Sequence, residues 1–189
     1  MESKVLARAE ADPTMEDEAS LVKAARSDPA AFSTLYRRFV TPVYRYLYKW
    51  LRNSNDAEDL TSQVFTEVLE GLADYREQGS FAAWLFTIAR RKAIAAYRRR
   101  NPTLPLDAAD QVPESIEDPL EQVVLGEQME RMAALFAELD EDQRELLRLR
   151  FTAGLSYAEI GAILDRSEAA VKMAVYRLLR QMHEKWEVK

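Results

Sequence analysis

The sequence predicts an all-α protein: two small helical domains joined by a flexible acidic linker, the carboxy-terminal one a helix-turn-helix. Three observations lead there. Apolar residues recur at three- and four-residue spacing from Phe32 to Ile88 and again from Ile160 to Leu179, and no stretch alternates as a strand would. Glycine is scarce, at five residues, which disfavours a chain of many tight β-turns. Pro102, Pro105, Pro113 and Pro119 fall in one acid-rich stretch that lacks helical periodicity and reads as a linker.

The elements follow in order. Residues 1–15 show no usable periodicity and are expected to be a mobile segment, with Met15 an alternative start to Met1. A short helix is predicted over Glu16–Ser27, ending before Asp28-Pro29. Asp28 caps the next helix and Pro29 suits its first turn. Phe32, Leu35, Tyr36, Phe39, Val43, Tyr46, Leu47, Trp50 and Leu51 form its apolar stripe, and Pro42 predicts a kink or break. Asn53-Ser54-Asn55 ends this helix and offers a cap to a third. There Asp56, Glu58 and Asp59 sit well against the helix dipole, and Leu60, Val64, Phe65, Val68, Leu69 and Leu72 form an apolar stripe. After a loop at Tyr75–Gly79, Ser80 can cap a fourth helix whose buried stripe holds Phe81, Trp84, Leu85 and Ile88. These helices make a domain over 16–100, the linker takes 101–118, and a second domain takes 119–189. In that domain one helix opens at Asp118-Pro119, a second is capped by Asp140, and Gly154 stops it. Ser156 and Glu159 then form a capping box, Ile160, Ile163 and Leu164 an apolar face, and Asp165-Arg166-Ser167 a break. Ser167 caps a last helix in which Val171, Val175, Leu178 and Leu179 repeat, leaving Lys172, Tyr176, Arg177 and Arg180 outward. A short amphipathic helix, a turn and a basic second helix suit major-groove reading, so DNA is the expected partner.

Composition excludes much else. The chain has 189 residues and no cysteine, so disulfides and cysteine-bound zinc are out. His183 is the sole histidine, which leaves no material for a histidine metal site or triad within one chain. No enzyme activity, cofactor or metal is expected. No apolar run approaches the ~20 residues that span a bilayer. The acidic start lacks an apolar core, so neither a secretory leader nor membrane insertion is expected, and the cytoplasm fits.

The net charge of -6 opposes DNA binding only if it is spread evenly. It is not. Arg90, Arg91, Lys92, Arg98, Arg99 and Arg100 lie in a stretch without an acid, while Arg131 is the one base between Asn101 and Gln143. The aromatics Tyr75, Phe81, Trp84, Phe86 and Tyr97 lie near the basic block. Single-stranded DNA is held by such cations on its backbone and by rings or pockets that take its bases. Phe81 and Trp84 read first as core; Tyr97 and the loop from Tyr75 to Ser80 are the better surface candidates.

Four blocks in order resemble the extracytoplasmic-function class of bacterial sigma factors, within the sigma-70 family. They are Asp28-Pro29-Ala30-Ala31-Phe32 through Tyr36, with Val43-Tyr44-Arg45; Asp56-Ala57-Glu58-Asp59-Leu60 through Phe65; Phe81-Ala82-Ala83-Trp84-Leu85 through Arg90; and Leu155-Ser156-Tyr157-Ala158-Glu159-Ile160-Gly161 with Ala170-Val171-Lys172. The resemblance runs from about Ala25 to Trp186. It implies a protein that binds core RNA polymerase, recognises minus-thirty-five and minus-ten promoter elements and promotes DNA melting. Residues 16–100 would be the region 2 domain and 119–189 the region 4 domain. It places polymerase contacts on Asp56, Asp59, Gln63 and Glu67. It places minus-ten recognition and melting on Tyr75, Arg76, Ser80, Arg90, Arg91, Tyr97 and Arg98. Minus-thirty-five contacts fall on Arg166, Ser167, Lys172, Met173, Tyr176 and Arg177. An anti-sigma factor is the implied regulatory partner, and with no long carboxy-terminal extension a fused regulatory domain is not expected. The chain departs from the family at Met173 and Ala174, where a small polar residue and an arginine are common. Those side chains can touch a thymine methyl but cannot make the bidentate bond to guanine. A free-standing helix-turn-helix regulator is the alternative, but it leaves the polar face of the third helix and the arginine-aromatic segment without a role. A helical interaction scaffold is another, and it predicts no salt-dependent DNA affinity.

Overall fold

The computed structural model describes residues 13–76, 79–100 and 131–187. All of the regular structure there is helical. Helix α1 spans Pro13–Ala25, α2 Pro29–Leu51, α3 Ser54–Gly71 and α4 Phe81–Arg100. After a helical run over 131–137 come α5 (Glu141–Leu147), a π-helical turn (Arg148–Thr152), α6 (Tyr157–Leu164) and α7 (Glu168–Glu187). The expected linker and the start of the helix at Asp118-Pro119 lie outside the described residues, as do residues 1–12 of the expected mobile segment. Residues 13–15 of that segment belong to α1.

The predicted caps form. Asp28 Oδ1 accepts from Ala30 N at 2.8 Å, and Asn53 Oδ1 from Asp56 N at 3.0 Å. Asp140 and Gln143 make a reciprocal capping box, as do Ser156 and Glu159. Each satisfies amide groups that a helix start would leave without partners. Ser80 differs. Its carbonyl accepts from Trp84 N, while its hydroxyl donates to Glu159 Oε1 at 2.5 Å, across the molecule.

Pro42 does not break its helix; α2 continues from Pro29 to Leu51. A proline forfeits one backbone hydrogen bond and crowds the preceding turn. Phe39, Val43, Tyr46 and Leu47, all buried around it, offset that loss through packing. Side chains of that size each contribute about 1.5–3 kcal/mol when buried.

In the first domain α2 packs on α1, α3 and α4. Val22, Leu35, Val43, Leu47, Val64, Val68, Leu85 and Phe86 are sealed in its centre. In the second domain Leu146, Leu149, Leu155, Ile160, Val171 and Val175 are buried between α5, the π turn, α6 and α7. These two sets belong to one continuous apolar core, because α6 packs on α4 and the π turn packs on α2. A smaller cluster of Leu139, Leu147 and Leu178, with Phe136 and Met182, ties the 131–137 run to α5 and α7. The buried Arg144 reaches back to the carbonyls of Phe136 and Ala137, at 3.3 and 3.0 Å. It thereby satisfies acceptors at the end of that helical run.

Candidate functional site

The helix-turn-helix is built by a glycine that the sequence analysis did not single out. The turn brings Arg166 N onto the Gly161 carbonyl at 2.9 Å, with Asp165 in the left-handed region at φ 54°. A Cβ on Gly161 would sit 2.5 Å from the Arg166 carbonyl oxygen, so only glycine fits without moving the backbone. Ser167 Oγ then accepts from Ala170 N at 3.2 Å and starts α7 as expected. Val171, Val175 and Leu178 face the core. That orientation leaves Arg166, Ser167, Lys172, Met173, Tyr176 and Arg177 exposed together. Met173 and Tyr176 are 59% and 56% exposed. The Tyr157 and Tyr176 rings lie 6.5 Å apart, and the Arg150 guanidinium stacks over Tyr157 at 4.7 Å.

On α3, Asp59 and Gln63 are exposed on the side away from Leu60, Val64 and Val68. The other two expected polymerase contacts are held by the basic helix. Asp56 pairs with Arg100, and Glu67 pairs with Arg91 and with Lys92, the latter at 3.0 Å. Partial burial works against the Glu67 carboxylate, but the hydrogen bonds from Lys92 and Arg91 outweigh it and lower its pKa from 4.5. The predicted polymerase face and the predicted melting helix are therefore fastened to each other.

The residues expected to act in melting divide. Arg76 and Arg98 are exposed. Tyr75 is half-buried, its ring 4.8 Å from Trp84 and 5.8 Å from Phe81, and its hydroxyl donates to the Gly79 carbonyl. Tyr97 departs from the surface placement expected of it. It is 5% exposed, with its ring edge against Trp50 at 5.9 Å, and so it packs the end of the first domain. Its spacing from Ala93, also buried, outweighed the basic neighbours that marked it as a surface residue.

Arg90 leads into a network that the sequence did not reveal. Its Nε donates to Glu145 Oε1 at 3.1 Å, and Tyr46 Oη donates to the same oxygen at 2.7 Å. Arg148 reaches Glu145 Oε2 at 3.4 Å, pairs with Glu141, and stacks over the Trp50 ring at 4.3 Å. Burial, followed by the adjacent Glu145 charge, pushes the Tyr46 hydroxyl far above its ordinary range, so it remains a donor. Burial also raises the pKa of Glu141, although Arg148 opposes it. The available signals were Tyr46 inside an apolar stripe, whose hydroxyl needs a partner, and Glu141, Glu145 and Arg148 on one helical face. Beside this network lies a cleft of about 400 Å³, lined by Thr87, Arg90, Arg91, Ile94, Ala95 and Arg98 of α4 and by Ile163 of α6. Among the described residues no cluster of metal-ligating side chains occurs, and no helix is long and apolar enough to cross a membrane.

Known proteins share this plan. Residues 35–103 match the family Sigma-70 region 2, and residues 129–182 match Sigma-70, region 4. ShbA of Streptomyces griseus, an ECF RNA polymerase sigma factor, is 36% identical over 66% of this chain and 69% of its own. BldN of Streptomyces coelicolor, another, is 34% identical over 86% of this chain; the match spans 63% of BldN, under two thirds of its length. Among solved structures, CnrH in complex with the cytosolic domain of CnrY superposes with a TM-score of 0.65 at 21% identity, covering 91% of this chain and 98% of that one. The sigma factor RpoE of Bartonella quintana, solved with the anti-sigma factor NepR, gives 0.60 at 20% identity, covering 84% and 98%. The helical fold is thus shared with both. Two Sigma-70 regions in order along the chain, together with the identity to the S. griseus factor, establish that the chain belongs to the extracytoplasmic-function RNA polymerase sigma factors of the Sigma-70 family.

Proposed function

We propose that this sigma factor brings core RNA polymerase to promoters by dividing the work among three helices. Asp59 and Gln63 on α3 meet the polymerase. Arg90, Arg91 and Arg98 on α4, with Arg76 in the preceding loop, hold the backbone of the melted minus-ten segment. Arg166, Ser167, Lys172, Met173, Tyr176 and Arg177 read the minus-thirty-five duplex. The observation that carries this reading is the exposed face of α7. Cationic, aromatic and thioether groups lie there behind a capped turn, opposite Val171, Val175 and Leu178. That arrangement suits a helix laid in a major groove, with Arg177 a donor for base edges and Met173 a surface for thymine methyls. The expected partners are core RNA polymerase, promoter DNA and an anti-sigma factor of the kind seen with the Bartonella RpoE.

The test is reconstitution. The full chain mixed with core RNA polymerase should support run-off transcription from a subset of promoters selected from genomic DNA. Core binding without promoter selection would overturn the DNA assignment. Promoter binding without core binding would overturn the assignment on α3.

A further inference from the structure

Glu145 sits where the two domains meet, with its side chain 4% exposed. Its Oε1 takes hydrogen bonds from two residues of the first domain, Tyr46 Oη and Arg90 Nε, while Arg148 of its own domain attends Oε2. Nearby, Ser80 Oγ of the first domain donates to Glu159 Oε1 of the second. These three hydrogen bonds between domains all end on a carboxylate of the helix-turn-helix unit. Arg90, one of the arginines lining the cleft beside α6, thus has an anionic oxygen already seated on its Nε.

We infer that Glu145 is an internal stand-in for a nucleic-acid phosphate. It occupies the Nε–H of Arg90, holds the helix-turn-helix against α4 in a closed form, and must be displaced before that group can grip a DNA backbone. The inference rests on the reading of Arg90 as a nucleic-acid donor. A carboxylate oxygen and a phosphate oxygen present the same charge-assisted acceptor to a guanidinium, so one Nε–H cannot serve both. The carboxylate is buried and surrounded by the donors Tyr46, Arg90 and Arg148, which makes the closed form specific. It is also polar, and its groups regain water on separation, which offsets part of the cost of exposing the apolar contacts that the two halves share. Closure and DNA binding are then linked: each weakens the other by the same factor.

The chain has no cysteine, so a labelling pair can be introduced cleanly at the exposed positions Glu70→Cys and Gln181→Cys. Spin-label distances in the full chain should give one narrow distribution. Glu145→Gln should add a longer population. Tyr46→Phe, which removes one donor and keeps the ring, should shift it the same way by less. Glu141→Gln removes a neighbouring charge that does not touch Arg90 and should leave the distribution unchanged. Circular dichroism shows which variants fold; if Glu145→Gln does not, Tyr46→Phe carries the test alone. Oligothymidylate supplies a bare phosphate backbone. It should open the parent chain and bind Glu145→Gln several-fold more tightly than either parent or Glu141→Gln. Unchanged distances in the folded variants, or a broad distribution in the parent, overturn the inference even where oligothymidylate binding depends on Arg90. Opening in Glu145→Gln with oligothymidylate binding indifferent to Arg90→Ala overturns the reading of Arg90, and the competition with it.

Discussion

Single atoms decide much of the recognition unit. The Cβ that Gly161 lacks would meet a backbone carbonyl at 2.5 Å, a neighbour that cannot swing aside. Gly161→Ala should therefore cost about 1–3 kcal/mol in urea unfolding, the usual range for overpacking; an unchanged midpoint would show that the turn relaxes freely. Arg177 and Lys172 are both exposed on α7. Arg177→Ala should reduce discrimination between promoter and scrambled duplex by about 1–3 kcal/mol. Lys172→Ala should weaken both duplexes alike if it meets phosphate. If Arg177→Ala also weakens both alike, it is a phosphate anchor and the base contact lies elsewhere. Glu67 carries a pH signature. Its folded pKa is depressed below 4.5 despite partial burial, because Lys92 and Arg91 favour the charged form. The stability it contributes is present above about pH 4.5 and is lost as pH falls through the folded value. Glu67→Gln should flatten the acid limb of the stability profile in that window; an unaltered limb would show that the pair contributes nothing.

At the scale of elements, α3 and α4 are surfaces paired through Asp56 and Glu67, and the duties proposed for them are separable by mutation. Asp59→Ala combined with Gln63→Ala should weaken core-polymerase binding and leave the thermal melt nearly unchanged, since exposed positions cost under ~0.5 kcal/mol each. Full-strength assembly by the double variant would remove the polymerase from this face. Arg90→Ala with Arg98→Ala should reduce permanganate reactivity of the promoter bubble more than it reduces polymerase binding. It should also flatten the log-log salt dependence by roughly one unit for each phosphate that the variant no longer neutralises. Helix α2 shows where local rules stop. Pro42 carries a breaking signal that is real in isolation, but the buried residues on either side hold the helix together through it. The loop side of α4 shows the same. Ser80 has the right chemistry for a cap, yet its hydroxyl serves Glu159, far away in the sequence.

For the whole molecule, the continuous core makes the two Sigma-70 regions one folding unit in the closed form. Leu149, sealed in the π turn, and Phe86 of α4 belong to the same apolar cluster. Leu149→Ala should cost about 2–5 kcal/mol. The parent chain should show one calorimetric transition, with equal van't Hoff and calorimetric enthalpies. Two resolved transitions would mean that the domains melt independently and that the core they share couples them weakly.

The sequence by itself determined the helical class, the caps at Asp28, Asn53, Asp140, Ser156 and Ser167, the basic α4 and the outward face of α7. These depend on spacing and on neighbours within a turn or two, and such information is local. The family was legible for the same reason, since its motifs are short runs along single helices. Only the tertiary structure decided that Tyr97 is core, that Arg91 and Lys92 are tied to Glu67, and that Tyr46 and Arg90 converge on Glu145. Those outcomes need residues as far apart in the chain as Tyr46 and Glu145. Their pairing is set by how whole helices pack, which no local pattern encodes.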